Sequence, residues 1–398
     1  MSDQVDTDDT AGMAATRQPV AGPSTTGGQQ HMGLRLRQWR NSLIGSQGFR
    51  SRALRFPGAR WLAKRKANGL FRLTAGFVFS QVLSACVSLG VLDRLRHARL
   101  STEELAKECG LPEDRMQLLL EQAERLDLVR RAGRSCWILD DFGVVVASDP
   151  GLTAMITHHS LLYRDLDQPA KLFKSSKRPT RLKKYWAYAH GQNPSGVNAE
   201  TAQSYSALMR SSQAMMADCI LAAHDFGHYA SILDAGGGDG AFLAAAAAEY
   251  PGLQLQLFDL PPVIELAREH LTEKYLIDRS KLHAGDFTKD PLPDTADCVC
   301  LIRVLCDHDD ARVLDILGNL HRSLKPGTRI MIAEAMAGQS EGARLAAVYF
   351  SLYFLAMGSG RCRTDMEIKG LLEKAGFRRP HTVESPNPLL ATLVFAER

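Results

Sequence analysis

The stretch Ile232-Leu-Asp-Ala-Gly-Gly-Gly-Asp-Gly-Ala241 constrains the fold of this chain more than any other. An apolar run leads into clustered glycines, and the Ala-rich segment behind them has high helix propensity. A strand, a glycine turn and a helix in that order open a doubly wound α/β unit, and the absent side chains let the backbone approach a nucleotide. Asp234 and Asp239 flank the glycines with no Lys or Arg nearby, so the loop is a poor cradle for an anionic pyrophosphate. A cationic ligand suits it better. Gly236-x-Gly238-x-x-Ala241 also satisfies a relaxed dinucleotide fingerprint, which taken alone is weak.

The next segments bear on that choice. Leu253 to Leu257 alternates as a second strand and runs to Asp259, placed to take both ribose hydroxyls of either ligand. A third strand near Lys281 to His283 leads into Gly285-Asp-Phe287, where Asp286 accepts from an adenine amino group and Phe287 packs on the base. Strand-end acids and glycine turns are ordinary architecture singly. Three acids at three successive strand ends favour S-adenosylmethionine, which carries a sulfonium and an ammonium and no phosphate, over NAD. Later strands are expected over Ala296 to Ile302 and Arg329 to Glu334, with a final pair after Gly376.

The 398 residues, 45% hydrophobic, suffice for two domains with a large core. A net charge of +4 gives no global nucleic-acid footprint. The eight Cys are scattered without a C-x-x-C pair, which reads as reduced thiols in a cytoplasm, and no metal site is expected. Residues 1–32 are expected to be a disordered leader without the apolar run of a signal peptide. Residues 33–69 form a basic arm, in which Arg35, Arg37, Arg40, Arg50, Arg52, Arg55, Arg60, Lys64, Arg65 and Lys66 alternate with Trp39, Phe49, Phe56 and Trp61 and no acid occurs. Such an arm suits either an anionic membrane surface or a partner subunit.

Leu73 to Leu92 is uncharged and long enough to span a bilayer. Its Thr74, Ser80, Gln81, Ser84, Ser88 and two glycines favour a buried helix at a dimer interface instead. Ser101-Thr-Glu-Glu104 is a capping box opening a helix that ends near Gly110. A second helix runs from Pro112 through Leu126, and Arg134 to Leu139 resembles the strand of a wing. This is a winged-helix pattern over residues 70–150, but Glu113 and Asp114 at the groove-entering end would repel DNA phosphates, so dimerisation is the preferred use. Residues 151–228 read as a helical connector carrying His158-His159 and Tyr163. Adjacent His on a helix diverge, which disfavours a shared metal and leaves one free to line a pocket. Residues 229–398 form the nucleotide-binding half.

With these elements placed, residues 70 to 398 resemble the winged-helix family of S-adenosylmethionine-dependent O-methyltransferases. The marks are Leu233-Asp-Ala-Gly-Gly-Gly-Asp-Gly240, Phe258-Asp-Leu-Pro-Pro262, Gly285-Asp-Phe287, Arg303-Val-Leu-Cys-Asp-His-Asp-Asp310 and Ser323-Leu-Lys-Pro-Gly327. A narrower resemblance, to bacterial carotenoid methyltransferases acting on hydroxyneurosporene and demethylspheroidene, rests on the basic arm and on Gly76-Phe-Val-Phe-Ser-Gln-Val82. It also rests on His158-His159, on Leu162-Tyr-Arg-Asp-Leu166 and on Tyr349-Phe-Ser-Leu-Tyr-Phe-Leu-Ala-Met-Gly-Ser-Gly-Arg-Cys-Arg-Thr364.

The resemblance implies an α/β fold in which a mainly helical winged-helix dimerisation domain precedes a Rossmann-like class I methyltransferase domain. It implies a homodimer acting on a hydrophobic carotenoid, in the cytoplasm or peripheral on the inner or photosynthetic membrane. Asp234, Gly236, Gly238, Asp259, Leu260, Asp286, Phe287 and Arg303 would bind S-adenosylmethionine, and His159, Tyr163, Tyr349, Tyr353 and Met357 would line the acceptor pocket. In the plant phenol members a general-base His stands where this chain has Cys306, and a second catalytic acid stands where it has Cys362. Glu334 matches the residue that orients that base, which leaves His308, with Asp307 and Glu334 beside it, as the candidate proton acceptor. A phenolic or bacteriochlorophyll-type acceptor, a nucleotide-sensing winged-helix regulator and a membrane-embedded protein are the competing readings.

Overall fold

The computed structural model describes residues 26–53, 55–133, 135–174, 179–189 and 213–398. The chain divides into two units, Met1–Phe79 and Ser80–Arg398. The first holds α1 (Thr26–Gly45), α2 (Gln47–Ala53) and most of α3 (Pro57–Ser88). α1 begins inside the stretch expected to be an unstructured leader, and residues 1–25 lie outside the described ones. The apolar run Leu73 to Leu92 is not one helix: α3 ends at Ser88, and Gly90, at φ 69°, turns the chain into α4 (Val91–His97). The described residues of this chain bury only the run's second half: Cys86, Val91 and Leu92 lie in a core with Val82, Leu83, Val87 and Leu89 packed against it, while Leu73 and Phe77 are 80% and 69% exposed.

Beyond α4 come β1 (Leu100–Ser101), α5 (Thr102–Cys109), α6 (Glu113–Glu124), β2 (Val129–Ala132), β3 (Cys136–Leu139) and α7 (Asp141–Ser148). The expected capping box is formed, with the Ser101 hydroxyl accepting from the Glu104 amide at 3.2 Å and the Glu104 carboxylate accepting from the Ser101 amide at 2.7 Å. The wing is the antiparallel sheet β1-β3-β2. Trp137 of β3 is buried among Leu105, Met116 and Leu120, and its indole N–H donates to Thr102 at 3.0 Å. Among the described residues that follow are α8 (Pro150–Asp165), α9 (Pro169–Lys174), α10 (Arg181–Ala189) and α11 (Gln213–Ala223).

The remaining chain is β4 (Ser231–Ala235), α12 (Ala241–Glu249), β5 (Gln254–Asp259), α13 (Pro261–Glu273), β6 (Ser280–Ala284), β7 (Cys298–Ile302), α14 (Asp310–Ser323), β8 (Arg329–Glu334), α15 (Glu341–Met357), α16 (Asp365–Lys374), β9 (Arg378–Glu384) and β10 (Thr392–Glu397). The seven strands lie in the order β6-β5-β4-β7-β8-β10-β9; β6 through β8 are parallel and β10 runs antiparallel to both of its neighbours, β8 and β9. Alternate residues serve opposite faces. Ile232, Leu255, Leu257, Cys298 and Cys300 pack with α11, α12 and α13, while Leu233, Val299, Leu301 and Ile332 pack with α14 and α16.

Both faces being covered explains a departure from simple alternation in β5. Gln256 does not face water: it is buried, donating to the Ser231 hydroxyl at 2.8 Å and accepting from the Thr295 hydroxyl at 3.0 Å. The chain first builds outward from β4 through β5 to β6, then returns to β7 on the other side of β4. That reversal opens a crevice at the carboxyl ends of β4 and β7, the place where open α/β sheets bind ligands.

Candidate functional site

The glycine loop sits at that crevice. Gly236, Gly238 and Gly240 have φ of 78°, 61° and 81°, a left-handed conformation that disfavours residues with a Cβ. Space is short as well: a Cβ on Gly236 would stand 2.9 Å from Val304, and one on Gly237 would stand 2.5 Å from the Asp234 carboxylate. The Gly236 amide donates to the Phe258 carbonyl at 2.8 Å, and the Gly238 amide donates to Asp259 Oδ2 at 2.9 Å, which ties the loop to the end of β5.

Asp234 lies beneath the loop, 1% exposed, and neither carboxylate oxygen has a hydrogen-bond partner among the described residues. Burial, reinforced by the nearby Asp259, pushes its carboxyl up to about 8. An unpartnered buried acid next to a second acid is the environment that a cationic ligand relieves and a phosphate aggravates. The site therefore fits S-adenosylmethionine on its own chemistry.

The other expected donor-site residues surround the same crevice. Asp259 Oδ1 accepts from the Leu260 amide at 2.7 Å, so both carboxylate oxygens already hold backbone and a ribose would share their remaining lone pairs. Leu260, 41% exposed, borders the opening and caps α13. Asp286 is more committed to its own turn than the sequence implies. Its Oδ1 accepts from the Thr288 amide at 2.9 Å and hydroxyl at 2.6 Å, and its Oδ2 pairs with the exposed Lys289 ammonium at 3.2 Å. Burial alone would raise this carboxyl, but those contacts outweigh it and hold it below its ordinary value. The Phe287 ring reaches the loop, within 3.3 Å of a Cβ position on Gly236, and meets the His308 ring edge-on at 6.4 Å. Arg303 follows β7 with φ 55°, unusual for a long side chain. Its amide donates to the Ala333 carbonyl at 2.9 Å, and its charge partly offsets the burial of Tyr349, Tyr353 and Cys306.

The turn Leu305–Asp307 carries the reacting side of the site. Glu334, fully buried at the end of β8, accepts from the Cys306 amide at 2.9 Å through Oε2, while its Oε1 has no partner among the described residues. Burial pushes this carboxyl up to about 7, against the opposing pull of the Cys306 amide and the Arg363 guanidinium. Glu334 thus grips the backbone of the turn where phenol enzymes would orient a His. The Cys306 thiol, raised well above its ordinary value chiefly by burial, donates weakly to Asp307 Oδ1 at 3.7 Å. A neutral buried thiol cannot replace a general base.

Arg363 is the residue that sequence reasoning missed. Fully buried, it donates to the carbonyls of Leu305 at 2.8 Å and His308 at 2.7 Å and to Asp310 at 2.9 Å, stapling the entire 305–310 segment. Its signal lay in the run Arg361-Cys-Arg-Thr364, noted for resemblance and not for the planar fork of donors it supplies. The hydrogen bond from Arg361, followed by that from Arg363, holds the Asp310 carboxyl down to about 2.

The expected acceptor-pocket residues converge from distant segments. On α8, His158 bonds the Tyr353 hydroxyl at 2.9 Å and His159 bonds the Tyr349 hydroxyl at 2.7 Å, so the adjacent His reach two tyrosines one turn apart on α15. The Trp186 indole donates to the same Tyr353 hydroxyl at 3.0 Å. Tyr163 lies edge-on to His159, with centroids 6.2 Å apart, and Met357 is buried with Leu162, Leu172 and Phe354. Burial, with His159 adding to it, lowers His158 to about 4, and burial lowers His159 as well. Both rings are therefore neutral near pH 7, and the region offers apolar surface with uncharged hydrogen-bonding groups. Sequence reasoning did not pair His158 or Trp186 with Tyr353. A separate concavity of about 500 Å³ near the sheet edge, lined by Phe258, Leu282, His283 and Pro291 to Pro293, lacks the acids and glycines that mark the crevice.

Comparison with known proteins agrees with this geometry. The family models for an O-methyltransferase domain and an O-methyltransferase dimerisation domain match residues 171–378 and 71–139. A protein of Cereibacter sphaeroides called demethylspheroidene O-methyltransferase is 38% identical over 386 residues, 97% of this chain and 99% of that one. Its Rhodobacter capsulatus counterpart of the same name is 40% identical over 347 residues, 86% of this chain and 85% of that one. The crystal structure of human N-acetylserotonin methyltransferase in complex with SAM superposes with a TM-score of 0.68 at 25% identity, covering 84% of this chain and 97% of that one. The chain therefore belongs to the S-adenosylmethionine-dependent O-methyltransferases that carry a dimerisation domain.

Proposed function

We propose that the acceptor is an acyclic carotenoid of the hydroxyneurosporene or demethylspheroidene type, methylated on a tertiary hydroxyl. The carrying observation is the acceptor region between α8, α10 and α15, where Leu162, Tyr349, Tyr353, Phe354 and Met357 present apolar surface and the two ring bases among the described residues there, His158 and His159, are held neutral. A polyene needs such walls. The Cereibacter and Rhodobacter relatives, both called demethylspheroidene O-methyltransferases, support the same acceptor class. The match to a dimerisation domain over residues 71–139, together with the exposed Leu73 and Phe77 of α3, supports a homodimer in which a second copy covers that part of the helix. The eight cysteines, all free, support a reducing cytoplasm.

Bound at the glycine loop, S-adenosylmethionine supplies an electrophilic methyl on a positively charged sulfur. A tertiary alcohol is too weak an acid to be ionised beforehand, so holding its oxygen in line and excluding water must carry much of the barrier. Glu334 and Arg363 hold the 305–308 backbone from two sides, which fixes His308 beside Phe287 and the loop. The hydroxyl proton has to leave as the oxygen is methylated, and His308 would accept it, with Asp307 supporting the turn. Pigment extracted from a deletion strain tests the proposal. Hydroxylated carotenoid should accumulate in place of the methoxylated product; unchanged pigment, with purified enzyme methylating phenols instead, would defeat it.

A further inference from the structure

None of the residues placed at the glycine loop or the aromatic pocket belongs to the N-terminal unit, and the dimerisation-domain match starts only at residue 71. Between Asp9 and Asp93 the sequence contains no Asp or Glu. Along α3, at 3.6 residues per turn, Trp61, Lys64, Arg65, Asn68 and Arg72 share one face and line a shallow groove with Gly69. The Arg65 guanidinium stacks over the Trp61 ring at 5.7 Å. Leu62, Leu70, Leu73 and Phe77 share the opposite face, 51%, 64%, 80% and 69% exposed, interrupted only by Lys66. Among the described residues no carboxylate pairs with Lys64, Arg65, Lys66 or Arg72.

What covers this helix must satisfy both faces. A nucleic acid would neutralise the cations but leave the leucines in water. A second copy of the same arm would cover the leucines but bring like charges together. An anionic bilayer does both, because the apolar face enters the acyl boundary while the cations meet headgroups, and Lys66 extends its stem past the leucines to the same level. We propose that residues 57–72 of α3 dock the protein on a bilayer surface containing anionic lipid, with Leu62 and Leu70 inserted and Lys64, Arg65 and Arg72 at the headgroups. The inference stands whatever the acceptor, because it uses none of the residues at the glycine loop or the aromatic pocket.

Sedimentation of the full chain with phosphatidylcholine vesicles, with and without phosphatidylglycerol, tests it. Binding should require phosphatidylglycerol and weaken with added salt. The double variant Arg65→Gln/Arg72→Gln should bind about 25-fold more weakly, about fivefold for each charge removed. Leu62→Ser/Leu70→Ser should weaken binding by about tenfold or more. Both variants should keep wild-type calorimetric affinity for S-adenosylmethionine, which separates lost docking from lost folding. Independently, Leu70→Trp should add tryptophan emission that brominated lipid quenches more strongly than that of the wild-type chain, and no added quenching would overturn insertion of that face. Equal binding to both vesicle types, unaltered binding in the double variants, or a DNA complex without vesicle binding would each overturn the proposal. So would resistance to alkaline extraction, the mark of a true span.

Discussion

Replacing Asp234 by Asn isolates the electrostatics at the centre of the donor site. The free carboxyl has an ordinary value of 3.8, and burial raises it to about 8 in the folded chain. Below the unfolded value both states carry the proton and folding is unaffected. As the pH rises past it, the unfolded chain ionises while the folded one must stay protonated, so stability falls until the folded value is passed. At about pH 7 the cost is roughly 3 pH units at 1.36 kcal/mol each, or about 4 kcal/mol. Asn has nearly the same shape and no charge, so it escapes this cost. It adds a buried amide donor without a partner, itself about 1–3 kcal/mol, but that penalty does not vary with pH. The informative quantity is therefore the stability difference between variant and wild type from urea unfolding at about pH 4 and pH 7, which should shift toward the variant by about 4 kcal/mol. The same variant should bind S-adenosylmethionine more weakly, because the ligand's positive charges favour an ionised Asp234. A stability difference that does not change with pH would refute a neutral Asp234 in the free protein.

The remaining predictions concern the groups that frame the site. Arg363→Met leaves Asp310 and two carbonyls without their buried donor and should destabilise the fold by about 3–5 kcal/mol in urea unfolding; Arg363→Lys should recover only part of this, since an ammonium lacks the fork geometry. A loss in Arg363→Met no larger than that of an exposed arginine would show that the staple is not formed. Tyr353→Phe strands His158 and Trp186 at once and should cost about 1–3 kcal/mol of stability, with acceptor KM rising more than donor affinity falls; unaltered stability would mean both rings find other partners. His308→Ala should lower kcat by about 100-fold to 10,000-fold with intact donor binding, and a change of a fewfold would leave positioning as the main device. Gly237→Ala should weaken donor binding, because its Cβ would stand 2.5 Å from Asp234; wild-type affinity by calorimetry would place the ligand away from that loop.

The sequence by itself determined the features written in short range. Gly236, Gly238 and Gly240 announce left-handed backbone, the Ser101 to Glu104 box starts a helix, and Asp234, Asp259 and Asp286 stand at the ends of successive strands. Each depends on residues within a few positions, so pattern and propensity suffice to read it. What the acids do was decided only by folding. Asp286 spends its carboxylate on Thr288 and Lys289, and Asp234 is stranded beneath a loop with no partner, outcomes set by which backbone amides happen to face them.

Longer-range contacts were further from view. His158 meets a tyrosine 195 positions away and His159 one 190 positions away, a pairing that exists because α8 and α15 pack against each other. Glu334 looked like the partner of a catalytic base, yet the strand ending at Glu334 delivers it to the Cys306 amide. The run Leu73 to Leu92 had the composition of one buried helix, but Gly90 divides it, and among the described residues of one chain its second half is packed while Leu73 and Phe77 stay exposed. Hydropathy records that a surface avoids water; only the packing of distant elements decides what covers it.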